Sequence, residues 1–151
     1  MNVVEVSVEG VEPPDWIDAA RSFALDVLGE LEKESWELSL LLCGDAFIRA
    51  LNSQYRKRES STDVLSFEQG EWFQAEGGER RYLAGDVVIS LETLARNCDE
   101  IGIPQNEELK RLILHGILHL AGMDHDEADP RGEMLERQEA LLKKFSEVKI
   151  I

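Results

Sequence analysis

The stretch Leu112 to Asp126, LILHGILHLAGMDHD, contains every histidine of the chain: His115, His119 and His125. Its apolar residues recur at helical spacing, which predicts a helix over Leu112 to Ala121. On such a helix His115 and His119 lie four residues apart, so they project from one face about 40° apart around the axis. The stretch therefore predicts a helix that presents two imidazoles side by side.

The residues after this helix can supply a third imidazole. Gly122 stands where a helix can end in a left-handed residue, and a chain that reverses there can bring His125 back toward the other two. Lone histidines are usually unliganded, but all three histidines here fall within eleven residues. Three neutral imidazoles and one open position suit a catalytic ion. We therefore predict one Zn²⁺ per chain on His115, His119 and His125, with Ni²⁺ or Co²⁺ as substitutes.

The spacing H-x-x-x-H-x-x-G-x-x-H is also that of metzincin proteases, with one change. Gly116 stands where those enzymes have the glutamate that serves as general base for the zinc-bound water. A conventional peptidase is therefore disfavoured. A metal-dependent peptidase whose base comes from elsewhere, for example Glu108 or Glu127, stays an alternative.

The full motif HGILHLAGMDH resembles the signature of the YbeY family, bacterial metal-dependent endoribonucleases of ribosomal RNA maturation. Two more segments resemble that family in the same order, LNSQYRKRESSTDVLSF at Leu51 to Phe67 and GDVVIS at Gly85 to Ser90. The resemblance covers essentially the whole chain. It implies a single-strand-specific endoribonuclease of 16S rRNA maturation and ribosome quality control. Its implied partners are single-stranded RNA, ribosomal RNA, and the ribosome or its assembly proteins.

Arg56, Lys57 and Arg58 form the densest positive cluster of the sequence. From composition alone they are cations at a helix end, facing the negative pole of the helix dipole. The resemblance implies more for Arg56, because the matching arginine of the Tyr-Arg pair assists catalysis. It would stabilise the extra negative charge of the transition state. Lys57 and Arg58 are then phosphate-steering or merely exposed.

Length and composition favour a single domain over residues 1–151. No apolar run approaches the ~20 residues needed to span a bilayer, and the N-terminus lacks the pattern of a signal peptide. We expect a cytoplasmic protein with no membrane partner. The net charge of −15 argues against a protein that coats nucleic acid, and we expect no DNA partner. One local basic site can still bind an RNA phosphate.

The hydrophobic pattern predicts an α+β domain, with about five helices packed on one small mixed four-stranded sheet. The expected strands are Val4 to Val8, Trp36 to Cys43, Thr62 to Phe67 and Tyr82 to Ile89. The expected helices start near Asp15, Asp45, Leu91, Gln105 and Asp129. Asp15 and Ser90 are predicted N-caps.

Three further positions carry open alternatives. Trp72, in a loop or hairpin arm from Glu68 to Arg81, either anchors that arm or stacks on bases. Asp86 is either a partner of a metal ligand or a structural carboxylate. Asp124 could be a fourth ligand, which would make the protein a non-catalytic ribosome-assembly factor with a structural metal.

Overall fold

The computed structural model describes residues 1–56, 63–123 and 132–151. Within these ranges the chain forms four strands and five helices, as the sequence predicts. The strands are β1 (Val3–Glu9), β2 (Trp36–Cys43), β3 (Val64–Gln74) and β4 (Arg80–Ser90). The helices are α1 (Ile17–Glu30), α2 (Asp45–Arg56), α3 (Leu91–Ile101), α4 (Gln105–Leu120) and α5 (Glu133–Lys144).

The four strands form one mixed sheet in the order β1-β2-β4-β3. β1 pairs with β2, and β2 with β4, in parallel, while β3 pairs with β4 antiparallel. The predicted fold class, α+β with five helices on one mixed four-stranded sheet, is therefore confirmed. Among the described residues β3 pairs only with β4, so it is the edge strand of the sheet in this part of the chain.

Side chains alternate between the two faces of the sheet along each strand. Different helices pack on the two faces. The main core joins the face that carries Leu38, Leu40 and Leu42 of β2 to buried residues of α1, α3, α4 and α5. A smaller cluster on the opposite face contains Ile48 of α2, together with Cys43, Leu65 and Val88. The apolar side of α2 therefore packs on the opposite face from the other four helices, while its first residue, Asp45, bonds to Thr93 and Arg96 of α3.

α4 lies deepest in the main core. It has 16 residues, more than any other helix in the described ranges, and from Leu112 to Leu120 only His115 and His119 are not buried. An apolar surface of this width is what a helix needs when sheet and helices surround it. No helix in the described ranges is both long and apolar enough to cross a membrane.

β3 and β4 form a longer hairpin than the predicted strands. Pairing runs from Val64 opposite Ile89 to Gln74 opposite Arg80, so the arm predicted after Phe67 is a hairpin arm. Within it, the ring of Trp72 lies 5.1 Å from that of Tyr82, and the Arg80 guanidinium lies 5.2 Å from the Trp72 ring. These contacts favour the anchoring role of Trp72.

One of the two predicted N-caps is confirmed and one is wrong. Ser90 Oγ accepts a hydrogen bond from the backbone N–H of Thr93 at 3.2 Å and so caps α3. Asp15 does not cap α1, whose N-cap is Trp16, with no side-chain cap bond. Trp16 is partly buried and packs against the main core. The predicted start of the last helix, at Asp129, lies outside the described residues.

Candidate active site

α4 holds His115 and His119 at the edge of the main core. Both side chains are half-buried, and the neighbours on either side of each along the helix are buried in the core. The register of α4 is fixed by its apolar face, so the two imidazoles have little freedom to turn away from one another. The predicted pairing of these histidines on one helix face is confirmed.

The two imidazoles meet at their Nε2 atoms. His119 Nε2 lies 3.1 Å from His115 Nε2, and the ring centroids are 4.6 Å apart at an angle of 78°. Two nitrogens that bind one tetrahedral zinc, each at ~2.0–2.1 Å, lie roughly 3.3 Å apart. The observed separation therefore fits a shared ion, and His115 and His119 could hold it through Nε2.

The chain turns immediately after the second histidine. Gly122 has φ of +86°, its N–H donates to His119 O at 3.0 Å, and Met123 N–H donates to Leu118 O at 3.0 Å. This paired pattern is the Schellman ending of a helix, and it needs a left-handed residue at the glycine. The predicted helix end at Gly122 is therefore confirmed.

The third predicted ligand, His125, lies outside the described residues, as do Asp124 and Glu127. Within the described parts of the chain, no third histidine, cysteine, aspartate or glutamate joins His115 and His119 in a cluster that could hold a metal. The three-histidine set thus stays a prediction, and so does a closed site with Asp124.

Gln138 contacts the outer nitrogen of His115 and was not predicted as a site residue. Its Oε1 lies 2.9 Å from His115 Nδ1, and Gln138 is only 4% exposed on the inner side of α5. The sequence did contain a signal, since this amide interrupts the apolar spacing of Met134, Leu141 and Leu142. Its partner, 23 residues away in sequence, is recognised only when α5 packs on α4.

A cavity of about 340 Å³ opens beside the two histidines. The other described residues that line it are Leu120 and four residues of β3: Val64, Leu65, Ser66 and Glu68. In the described part of the chain β3 is the edge strand, and this cavity borders that edge. An extended chain can lie along the strand there and expose one of its bonds to the histidines.

Arg56 is the last residue of α2, and its side chain lies outside the described part of the structure, as do Lys57 and Arg58. The preceding Tyr55 packs its ring 5.4 Å from that of Phe67 on β3. The neighbours of Phe67 on the strand, Ser66 and Glu68, line the histidine cavity. The end of α2 is therefore fixed to the strand that borders the cavity.

Asp86 is not a partner of His115 or His119, the two histidines that the structure describes. The side chain of Val87 packs against α4, whereas Asp86 lines a separate cavity with Tyr55 and Phe67 on the opposite face of the sheet. Successive residues of a strand point to opposite faces, so Asp86 faces away from α4. Its described partner is Gln69, whose Nε2 donates to Asp86 Oδ2 at 3.4 Å. The interpretation of Asp86 as a partner of a metal ligand is therefore wrong for His115 and His119, and for His125 it stays untested.

The geometry does not favour a peptidase base at Glu108 or at position 116. Glu108 Oε2 accepts from Arg111 Nη1 at 3.3 Å, about two helical turns before His115. Gly116 faces the sheet, where an added Cβ would lie 2.5 Å from Val87 Cγ1. A glutamate at 116 would have to enter the core before its carboxylate could reach the histidines.

Comparisons with known proteins identify the family of this chain. The family model described as endoribonuclease YbeY matches residues 7–146. A Treponema denticola protein named endoribonuclease YbeY is 52% identical over 99% of this chain and 97% of its own length. One of the same name from Treponema pallidum is 46% identical over 94% and 89%. The solution structure of TM1509 from Thermotoga maritima superposes with a TM-score of 0.68, at 24% identity, over 95% of this chain and 90% of that one. The last match supports the fold alone.

Proposed function

This chain belongs to the YbeY family and is an endoribonuclease, and we propose that it cleaves single-stranded RNA at a zinc-type ion held by His115, His119 and His125. The observation that carries the proposal is the 3.1 Å approach of the two Nε2 atoms. A half-buried pair of imidazoles beside an open cavity is the arrangement that a catalytic ion needs, since substrate must reach the ion.

The ion, the cavity and Arg56 would each make a separate contribution to RNA cleavage. The ion, when bound, polarises a phosphoryl oxygen and lowers the pKa of a bound water to about 7. The RNA strand would lie in the cavity that β3 borders, next to the two histidines. Arg56 would contribute a bidentate guanidinium contact to the phosphate as negative charge builds up in the transition state.

Single-stranded RNA suits the cavity better than a duplex. A cavity of about 340 Å³ between one strand and one helix admits a single extended chain. The net charge of −15 disfavours broad contact with a duplex backbone, so binding must rely on a few local groups. We place the activity in 16S rRNA maturation and ribosome quality control in the cytoplasm, as the family resemblance implies, with the ribosome or its assembly proteins as partners.

The test is cleavage of one labelled RNA in single-stranded and in duplex form, by protein loaded with one equivalent of zinc and by chelated protein. We expect cleavage only of the single strand and only with metal. His119→Ala, purified in parallel, is the control for contaminating nucleases. A 2′,3′-cyclic phosphate on the product would assign the nucleophile to the neighbouring hydroxyl, whereas a 3′-hydroxyl would assign it to water. Equal cleavage after chelation would overturn the metal dependence.

The same preparations test the rival activities. A metal-dependent peptidase would degrade casein with loaded protein and lose that activity on chelation. A non-catalytic assembly factor would bind the ion and leave RNA intact. The endoribonuclease names of the relatives favour neither rival.

A further inference from the structure

We propose that Gln138 is a positioning residue, which selects the tautomer of His115 that can bind metal. The inference rests on the metal site of the proposed function and adds a residue from a different helix to it. Gln138 would act through His115 and would touch neither the ion nor the RNA.

The geometry places His115 between two partners. On one side Gln138 Oε1 lies 2.9 Å from Nδ1, and on the other side His119 Nε2 lies 3.1 Å from Nε2. The outer nitrogen thus contacts an acceptor, and the inner nitrogen points to the position where a shared ion fits. Both contacts lie within hydrogen-bond distance, so the ring plane of His115 is fixed from both ends.

A neutral imidazole carries one N–H, which sits on either Nδ1 or Nε2. With the proton on Nδ1, the ring donates to the Gln138 carbonyl oxygen and leaves a lone pair on Nε2 for the ion. With the proton on Nε2, the metal-binding lone pair is lost, and the Nδ1 lone pair faces the lone pairs of Oε1. Hydrogen bonding at the outer nitrogen of a metal-binding histidine is the general means of fixing its tautomer.

The surroundings of Gln138 explain why an amide is useful here. On α5 it shares the inner face with Met134, Leu141 and Leu142, all buried in the main core. A buried amide lowers stability unless it is hydrogen-bonded, so an apolar residue would suit simple packing better. The amide oxygen also accepts a hydrogen bond from Nδ1–H without adding a further negative charge next to a site for phosphate.

The test compares zinc affinity in three variants, by competition with a chromophoric chelator. Gln138→Met keeps the length of the side chain and removes the acceptor, and we expect zinc to bind about 10–100-fold more weakly. Gln138→Glu restores an acceptor and should bind zinc at least as tightly as wild type. Leu141→Ala, on the same buried face of α5, is the matched control. It should lower the melting temperature of the metal-free protein and leave zinc affinity unchanged.

A purely structural Gln138 gives a different result. Gln138→Met would then lower the melting temperature as Leu141→Ala does, and its zinc affinity would stay within twofold of wild type. That outcome overturns the inference. If wild-type protein itself binds no zinc, the proposed function fails instead, so the two failures are distinguishable.

A spectroscopic measurement on wild-type protein covers the case in which Gln138→Met does not fold. The ¹⁵N chemical shifts of the His115 ring in metal-free protein report which nitrogen carries the proton. We expect a protonated Nδ1 and an unprotonated Nε2. The opposite tautomer in folded wild-type protein would overturn the inference.

Discussion

Gly116 of α4 lies directly against Val87 of β4, so that a Cβ built at position 116 would be 2.5 Å from Val87 Cγ1 and 2.8 Å from Val87 Cγ2. Real Cβ atoms do not approach other carbons this closely, so the absence of a side chain at 116 sets the distance between α4 and the sheet. On the same helix His115 lies about 100° and His119 about 60° around the axis from Gly116, so both histidines are close to this contact. The position of the site thus depends on a glycine that takes no part in the chemistry.

Gly116→Glu restores the metzincin pattern, and we expect it to abolish folding rather than create a peptidase. The smaller change Gly116→Ala should lower stability by about 1–3 kcal/mol, since a methyl group must be inserted into a packed interface. Circular dichroism and thermal melting measure both effects. Gly29→Ala in α1, where an added Cβ meets nothing within 4 Å, is the control and should not destabilise. Well-folded Gly116→Glu with strong metal-dependent proteolysis would contradict this prediction.

His119→Ala should reduce bound zinc from about one ion per chain to a weakly held fraction, because one of three ligands is lost. Elemental analysis after dialysis gives the stoichiometry. Arg111→Ala is the matched control, because Arg111 lies two turns before His119 on the same partly exposed line of α4 and pairs with Glu108 at 3.3 Å. Arg111→Ala should still bind about one zinc ion per chain. Unchanged zinc in His119→Ala would remove this histidine from the site.

Arg56→Ala should keep the fold and the metal and lose about a hundredfold to a thousandfold in single-turnover RNA cleavage, the size typical of one lost transition-state contact. Arg56→Lys should recover only part, since an ammonium keeps the charge but not the bidentate contact. If Arg56 only complements the helix dipole, stability should instead fall by less than ~1 kcal/mol, with nearly normal turnover.

Arg49→Ala is the control for Arg56, because Arg49 is an exposed arginine of the same helix. The Arg49→Ala substitution removes the same charge, and the Arg49→Ala protein should cleave RNA at the wild-type rate. Near-wild-type cleavage by folded, metal-loaded Arg56→Ala would exclude Arg56 and leave Lys57 and Arg58 to be tested.

Asp45 should make the protein sensitive to acid. Burial, the largest effect, raises its pKa, but hydrogen bonds from Ser90, Thr93 and Arg96 together outweigh burial and lower the pKa from 3.8 to about 2. Because the folded pKa lies below the unfolded one, the stabilisation is present above pH ~4 and is lost as pH falls toward 2. It amounts to about 2 kcal/mol.

Urea unfolding at several pH values tests this carboxylate. The stability difference between wild type and Asp45→Asn should be largest near pH 7 and should shrink as pH falls from 4 toward 2. Asp18→Asn is the control, since the Asp18 side chain is 95% exposed and pairs only with Arg21 among its described partners. It should change stability little at any pH. A pH-independent difference for Asp45→Asn would contradict the linkage.

The features that the sequence predicts well are those set by local spacing. The His115–His119 pair follows from the helical period, and the turn after it follows from the left-handed preference of Gly122. The predicted cap at Asp15 was wrong because α1 starts at Ile17, with Trp16 as its N-cap and no side-chain cap bond. Helical spacing and the left-handed preference of a glycine carry no information about which distant surface a helix or strand will contact.

The features that could not be predicted from the sequence are those set by contacts between segments that are distant in sequence. Asp86 faces away from the histidines because Val87, its neighbour on β4, faces α4. The extension of β3 to Gln74 depends on Arg80 and its neighbours across the hairpin. Gln138 joins the site only through the contact of α5 with α4.

The β3–β4 hairpin also makes the enzyme convenient to label. Residues 76–79 at its tip are exposed and lie at least 20 Å along the strand from Glu68, by roughly 3.3 Å per residue. Both native cysteines are buried, and burial first, then the charges of Asp45 and Glu92, raise the pKa of Cys43 to about 11. A maleimide dye should therefore react with Glu76→Cys and spare both native thiols. The hairpin tip thus offers a point at which a fluorophore or a surface tether can follow RNA turnover one molecule at a time.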